Sequence, residues 1–221
     1  MKKNITAVLF LIFCLFTASA MAQESVMKGV SIEAVKSLSG LSVTGSPVPV
    51  SYSNTSGFLD GMKVVVPVGH HYGYDLRATL GIDWQDGDIS IGGVDIGKIK
   101  NQTYSATVRN YFADDGKVSG YVGVGAYQES HDGGSLASGA LKMSSANSSG
   151  ILMEVGGTVT LAKIFNSENH LLDSLYIGGN VSKKFGQSKE SEIRTTVGNA
   201  LVTRLGGSND IDAKVSVGWK F

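Results

Sequence analysis

Cysteine is almost missing from this sequence of 221 residues: the one cysteine, Cys14, lies in an apolar stretch near the N-terminus. A lone cysteine excludes an internal disulfide framework. Proline is also scarce, with three residues, and the 19 lysines and arginines are balanced by 19 acidic residues. Because a nucleic-acid-binding protein needs a concentrated basic surface, this balance argues against a nucleic-acid partner.

Long apolar runs are missing as well, except at the N-terminus. Two lysines precede the apolar run AVLFLIFCLF, and the small residues of ASAMA follow it. This order predicts a secretory signal peptide over residues 1–22, cleaved after Ala22, rather than a membrane anchor. Beyond it, no stretch approaches the ~18 apolar residues of a transmembrane helix. Residues 23–221 are therefore expected to form one exported domain, made slightly acidic by the loss of both lysines.

Alternation of apolar and polar residues dominates the rest of the chain. It is clearest in YDLRATLGIDW, TYSATVRNYF and ILMEVGGTVTL, which begin at residues 74, 103 and 151. Period two predicts β-strands. Five further segments share the pattern: 28–36, 61–68, 118–128, 174–185 and 211–221. The count predicts eight strands. Ten remains open, because residues 193–205 could form a short helix or an extra strand.

The connections alternate in length. Short ones lie around residues 67–73, 113–116 and 163–170, and long ones at 37–57, 85–102, 129–149 and 186–209. Short turns at one rim and long loops at the other are typical of outer-membrane barrels. Loops 37–57 and 129–149 are rich in small residues and are expected to be mobile. In loop 85–102, Gly92 and Gly93 predict a hairpin that prolongs the third and fourth strands beyond the membrane, with a bulge near Gly87.

Alternation by itself fits either a soluble barrel with an apolar interior or a membrane barrel with an apolar exterior. The aromatic residues favour the membrane barrel, because they bracket strands at separations that match a lipid-facing band of ~25 Å. The predicted membrane-interface aromatics are Tyr74, Trp84, Tyr104, Phe112, Trp219 and Phe221. In lipid every backbone donor needs an internal partner, so the sheet must close.

The polar face also favours the membrane barrel. It is rich in small residues and carries few charges, of both signs, which fits a narrow lumen. An unpaired charge in such a lumen would be costly, so we expect a paired ionic network that plugs it. The predicted members are Glu33, Lys63, Asp75, Arg77, Asp83, Arg109 and Glu154.

Two segments make the interpretation more specific. The terminal VSVGWKF, ending at Phe221, resembles the C-terminal signature of Gram-negative outer-membrane barrels, and SGYVGVGAYQ resembles strands of the OmpA-, OmpX- and opacity-like small barrels. The resemblance implies an all-β, eight-stranded antiparallel up-and-down transmembrane β-barrel with short periplasmic turns and long extracellular loops. It also implies a place in the bacterial outer membrane, contact with its lipid, and a role for Phe221 as an assembly signal read by the barrel assembly machinery.

Catalysis is not expected. Of the four histidines, His70, His71 and His170 fall in predicted periplasmic turns. His131, beside Glu129 in loop 129–149, is the one candidate at the extracellular rim, where barrel enzymes keep their catalytic groups, but nothing in its loop predicts rigidity. No metal is expected, because adjacent histidines on an extended chain point apart. No cofactor is expected, because neither glycine-rich segment, GGVDIGKIK or GVGAYQ, opens a helix after a strand.

Three functions follow in order of preference. The first is a plugged barrel with a surface-interaction, adhesion or envelope-structural role, in which the extracellular loops contact an extracellular protein or a host surface. The second is a narrow, porin-like channel or a conduit for small hydrophobic solutes, since glycines in strands five to seven could leave the lumen open. The third is a lipid-modifying barrel enzyme that uses His131.

Overall fold

A computed structural model of the chain describes residues 29–38, 43–44, 50–55, 57–71, 74–112, 117–132, 134–136, 140–188, 192–195, 200–202, 204–205 and 211–221. The predicted signal peptide at 1–22 lies outside the described residues. In the described part of the chain, no helix has the length and apolar composition needed to cross a membrane.

Strands account for most of the described chain. They are β1 (Ser31–Ser37), β2 (Val43–Thr44), β3 (Val50–Asn54), β4 (Gly61–His71), β5 (Tyr74–Ile91), β6 (Val94–Phe112), β7 (Val118–His131), β8 (Gly134–Leu136), β9 (Leu141–Met143), β10 (Ala146–Thr160), β11 (Leu175–Ser188), β12 (Glu192–Thr195), β13 (Ala200–Val202), β14 (Arg204–Leu205) and β15 (Ile211–Lys220). Two short helices, α1 (Leu161–Ile164) and α2 (His170–Ser174), join β10 to β11.

Eight of these strands form a closed antiparallel ring in the order β5-β4-β1-β15-β11-β10-β7-β6, and β6 pairs back onto β5. The seam between the first and last strands is complete: β1 pairs with β15 from Ser31↔Lys220 to Ser37↔Lys214. At its periplasmic end, Gly29 N donates to Phe221 O and Phe221 N donates to Val30 O, each at 2.9 Å. The sequence prediction of an eight-stranded up-and-down barrel is confirmed, and ten strands are excluded for the ring itself.

The ring is apolar outside and polar inside. Along β7 from Val122 to Ala126 and along β10 from Ile151 to Val155, exposed residues alternate with buried or half-buried ones, and the exposed residues are apolar. The exposed apolar belt includes Leu80, Val108, Val122, Val124, Ile151, Met153, Val155, Ile177, Val181, Val215 and Val217. The buried set includes Glu33, Lys63, Asp83, Arg109, Glu129, Glu154, Lys184 and Lys214. This inversion is the arrangement that a barrel in lipid requires, because its solvent is hydrocarbon.

The predicted hairpin is present. β5 and β6 are 18 and 19 residues long, and their ladder continues to Ile91↔Val94 around Gly92 and Gly93. Both glycines have positive φ, 59° and 82°, which suits the two-residue turn that matches strand twist. The register shift lies between Ile89 and Ser90, where Gly97 has φ 131°, so the bulge predicted near Gly87 is wrong in position. We call residues 85–100 of this hairpin the extracellular ribbon.

The loops correct several further predictions. Part of loop 37–57, expected to be mobile, forms β3, which pairs with β5 from Val50↔Ile91 to Asn54↔Gly87. Loop 129–149, also expected to be mobile, contains the last residues of β7, all of β8 and β9, and the first residues of β10. The described part of this loop is therefore largely strand. For residues 193–205 the sequence allowed a short helix or an extra strand, and the described part is strand: β12 pairs with β13 and with β9 in a separate four-stranded sheet.

Candidate functional site

Four charged residues meet across the middle of the lumen, and we call them the central ion cluster: Glu33, Lys63, Arg109 and Glu154. They come from β1, β4, β6 and β10. On the ring, two strands separate β1 from β6 on one side and β1 from β10 on the other. Contacts among these residues therefore bridge the lumen instead of running along one wall. All four side chains are buried, and Arg109 is 0% exposed.

Arg109 holds the cluster together. Its Nε lies 2.8 Å from Glu154 Oε1, and its Nη1 lies 3.3 Å from Glu33 Oε1. The guanidinium also covers the ring of Tyr121 at 4.4 Å. Two carboxylates thus share one delocalised cation, whose planar fork can reach both.

The carboxylates have further partners. Lys63 Nζ lies 3.7 Å from Glu154 Oε2, and Thr107 and Asn180 donate to Glu154 at 2.9 and 3.1 Å. The hydroxyl of Tyr176 lies 3.1 Å from Glu33 Oε1. Two cations balance two anions, and hydrogen bonds reach both carboxylate oxygens of Glu154 and Oε1 of Glu33, which offsets part of the cost of burying these charges.

The other predicted lumen ions lie apart from this cluster. Asp75 and Arg77 form an ion pair with each other near the periplasmic mouth, where Arg77 stacks over Tyr111 at 4.2 Å. Asp83 pairs with Lys214 at 2.6 Å, and Lys214 is also 3.1 Å from Asp212. The seven predicted residues therefore fall into three separate groups.

A second buried cluster, the upper ion cluster, was missed by the sequence prediction. It comprises Glu129 and His131 on β7 with Lys184 on β11. Lys184 Nζ lies 2.6 Å from Glu129 Oε2, and His131 Nε2 lies 3.2 Å from Glu129 Oε1. Asn101 donates to Glu129 at 2.9 Å. Even positions of β11 and β15 face the lumen, so the alternation itself could have identified Lys184 and Lys214.

His131 requires a correction. It was expected in a mobile extracellular loop, but it lies in β7 and is 3% exposed. The strand continues through His131 because this residue pairs with Asn101 on β6 and with Ala146 on β10. His131 is the last inward-facing position of β7. In the described part of the chain, no three His, Cys, Asp or Glu side chains are close enough to share a metal ion.

Tyrosine rings fill the lumen where glycines leave room. A Cβ at Gly218 would collide with the ring of Tyr176, and one at Gly156 would collide with Tyr121. These glycines lie on inward-facing positions of β15 and β10, so each allows an aromatic ring to cross the interior. At these two positions, glycine makes room for an aromatic ring that fills the lumen, so the absence of a side chain does not leave the lumen open.

Above the ionic clusters, the extracellular ribbon packs on β9. The contact is a small core, the apolar cap: Ile89, Ile96, Ile99 and Met143, flanked by Tyr52, Ile91 and Leu141. Ile89 and Ile99 are buried, so the base of the ribbon is packed and not free in solvent.

The predicted interface aromatics can be placed on the barrel. Tyr104, Phe112, Trp219 and Phe221 are exposed on the outer surface. Trp84 is half-buried near the base of the ribbon, where its backbone N–H donates to Asp60 O at 2.6 Å. Tyr74 begins β5 at the periplasmic end, and its side chain lies outside the described residues. Their role at the membrane interface stays a prediction.

Comparisons with known proteins address the fold. No protein-family model and no curated protein matches the sequence. Among solved structures, the outer membrane protein OprG from Pseudomonas aeruginosa aligns with a TM-score of 0.52 and 14% identity, covering 88% of this chain and 97% of that chain. The outer membrane protein AlkL, in DMPC bilayers, aligns at 0.48 and 11% identity over 90% of this chain and 93% of that chain. Ail of Yersinia pestis, in complex with the heparin analogue sucrose octasulfate, aligns at 0.43 and 11% over 88% and 100%.

The likeness to OprG shows that the chain has the fold of the small outer-membrane β-barrels, as its resemblance to the OmpX-like barrels implied. The apolar outer belt is the surface that such a barrel presents to lipid. The protein therefore has the fold of a bacterial outer-membrane barrel.

Proposed function

We propose that the protein is a plugged barrel that displays its extracellular ribbon for contact with a partner outside the cell. The observation that carries the proposal is the complete burial of Arg109 between two carboxylates from different walls of the lumen. An ion or a solute would have to break these charge-assisted hydrogen bonds to pass, since they span the interior.

The ribbon supports the surface role. β5 extends about seven residues beyond Trp84, which is roughly 24 Å of strand at ~3.4 Å per residue. The β6–β7 ladder stops at Asn101, whereas the β5–β6 ladder continues to Val94. Asp132 N still donates to Lys100 O at 3.1 Å, so the stretch of β6 from Val94 to Ile99 is the part that extends beyond β7. An extended strand edge of this kind can receive a partner strand.

The plug is tested by conductance. Purified protein in planar bilayers is expected to give no stable single-channel steps. An Arg109→Ala/Glu154→Ala variant, which removes the central bridge, serves as the comparison for a lumen that has been opened. Stable steps from the native protein would refute the plugged barrel and favour a channel.

The surface role is tested by adherence. Bacteria that lack the protein are complemented with the native chain or with a Val94→Asp/Lys98→Asp variant, and their adherence to a monolayer of host cells is compared. Both positions are well exposed, so the apolar cap stays intact. Lys142→Asp, an exposed position on β9 outside the ribbon, is the matched control. We expect the ribbon variant to lower adherence and the control to retain it; equal adherence of native and ribbon-variant strains would contradict the proposal.

A conduit for small hydrophobic solutes is the second candidate, because the apolar cap makes the extracellular end of the interior apolar while its middle is ionic. Uptake of a radiolabelled alkane or fatty acid by intact cells tests it. Faster uptake with the native protein than with an Ile99→Asp variant would favour the conduit.

We also propose that the chain is not an enzyme. The one histidine considered for catalysis, His131, is enclosed and already in contact with Glu129, so it has no access to a substrate at the rim. His131→Ala should leave the lipid A and outer-membrane protein profiles of the cell unchanged. A changed profile would reopen the catalytic hypothesis.

A further inference from the structure

The connection between β10 and β11 is an ordered element at the periplasmic end. Thr160 caps α1 by accepting from Lys163 N at 3.3 Å, and Asn169 caps α2 by accepting from Leu171 N at 2.9 Å. Asn166, at φ 48°, turns the chain between them, and Ser167 N donates to Ala162 O at 2.9 Å. Side-chain caps of this kind fix helix ends, so the connection holds a defined shape. A tight hairpin would have needed far fewer residues.

This connection, which we call the helical turn (residues 161–174), leaves large apolar side chains uncovered. Phe165 is 65% exposed, Leu171 55% and Ile164 48%. Ala162, by contrast, is buried against the barrel. Exposed apolar residues scattered singly need no explanation, but three within eight residues of one ordered turn form a patch.

The patch is continuous with the membrane-facing belt. Leu175 follows α2 directly and is paired with Trp219 on β15, and Ile177 on the same strand pairs with Val217. Trp219, Ile177 and Val217 are all exposed on the outer wall. The helical turn therefore begins where the belt reaches the periplasmic end of the barrel.

We propose that the helical turn lies in the headgroup region of the inner leaflet and binds glycerophospholipid, with Ile164, Phe165 and Leu171 reaching the acyl boundary. Short amphipathic segments bind in this plane through their buried apolar area. Lys163, exposed beside this patch, can meet the lipid phosphates, while the exposed Glu168 faces the aqueous periplasm. The turn thereby fixes the depth of the barrel on this side.

The test uses the full chain with single nitroxide labels. Residues 23–221, which follow the predicted signal peptide, contain no cysteine, so Phe165→Cys, Leu171→Cys or Glu168→Cys supplies one labelling site each. The labelled protein is reconstituted in vesicles of phosphatidylethanolamine and phosphatidylglycerol. Collision with oxygen, which concentrates in lipid, is compared with collision with a water-soluble nickel chelate. Heat-modifiable gel mobility first confirms that each variant has folded.

We expect labels at 165 and 171 to collide severalfold more with oxygen, relative to nickel, than the matched label at 168. Ile164→Cys is a second apolar position if Phe165→Cys fails to fold. Equal, water-like ratios at 164, 165, 171 and 168 would overturn the proposal and leave the patch to a periplasmic protein. Labels at 164, 165 and 171 that give lipid-like ratios in detergent but water-like ratios in vesicles would also overturn the proposal.

Discussion

Arg109→Met is the sharpest perturbation of the lumen. Methionine fills much of the arginine stem but removes the cation that Glu33 and Glu154 share. Glu154 keeps Lys63 at 3.7 Å and its two neutral donors, whereas Glu33 keeps the Tyr176 hydroxyl at 3.1 Å. The variant therefore leaves the central ion cluster with one excess negative charge in a closed interior.

The size of the effect follows from this imbalance. Removing one partner of a buried ion pair costs about 3–5 kcal/mol. Because Glu154 retains a cation, the lower end, about 3 kcal/mol, is expected, which is a fall of roughly a hundredfold in the folding equilibrium. Arg109→Met/Glu33→Gln restores one cation for one anion, so the double variant should recover at least half of the loss.

Urea unfolding in lipid vesicles, followed by heat-modifiable gel mobility, measures the free energy of unfolding. Lys98→Met is the matched control, since Lys98 makes an exposed pair with Asp88 at 3.9 Å, and such pairs contribute below about 1 kcal/mol. The reasoning fails if Arg109→Met unfolds with the free energy of Lys98→Met, or if the double variant is no more stable than the single one.

Three further predictions concern packing, the turn and a phenol. Gly125→Ala should destabilise the barrel by about 1–3 kcal/mol in the same urea assay, because its Cβ meets backbone atoms of Ala106, while Gly179→Ala, which has room, should not. Gly92→Val should speed protease cleavage of the ribbon on whole cells and Gly92→Asn should not, since asparagine tolerates positive φ. Burial, together with the charges of Asp86, Asp60 and Asp88, raises the pKa of the Tyr52 phenol. The contribution of Tyr52 to the free energy of unfolding is therefore complete below pH ~10, the pKa of the phenol in the unfolded chain, and falls above it. Tyr52→Phe should make the urea midpoint fall less between pH 8 and pH 11 than it does in the native protein.

The barrel strands were predictable because alternation is a local property. Wherever one face of a strand meets lipid and the other the lumen, period two is imposed on consecutive residues, as in 74–84 and 151–160. The Gly92-Gly93 turn was predictable for a similar reason, since its positive φ values restrict the residue types. The bulge was misplaced because either strand of a pair can absorb an extra residue, and here β6 does so at Ile96, beside Gly97 with its positive φ.

The pairing of lumen charges was not predictable from spacing. Arg109 and Glu33 are 76 residues apart, and their contact depends on the shear of the closed ring. Lys214 and Lys184 face inward by the same alternation, yet their partners, Asp83 and Glu129, are set by which strands lie across the lumen. His131 was misjudged because the composition of its loop hid the continuation of β7 and β10 beyond the membrane band.

The inward-facing charges have one more consequence, for export. A run of lipid-facing residues without interruption would be retained in the inner membrane during translocation, because the translocon inserts long apolar segments as helices. Each of the eight strands of the ring contains glycine, threonine or an ionic group among its apolar residues, and the mean hydropathy of the chain is only +0.07. Glu154 and Arg109, which meet across the lumen, thus also make their own segments too polar to be inserted as transmembrane helices.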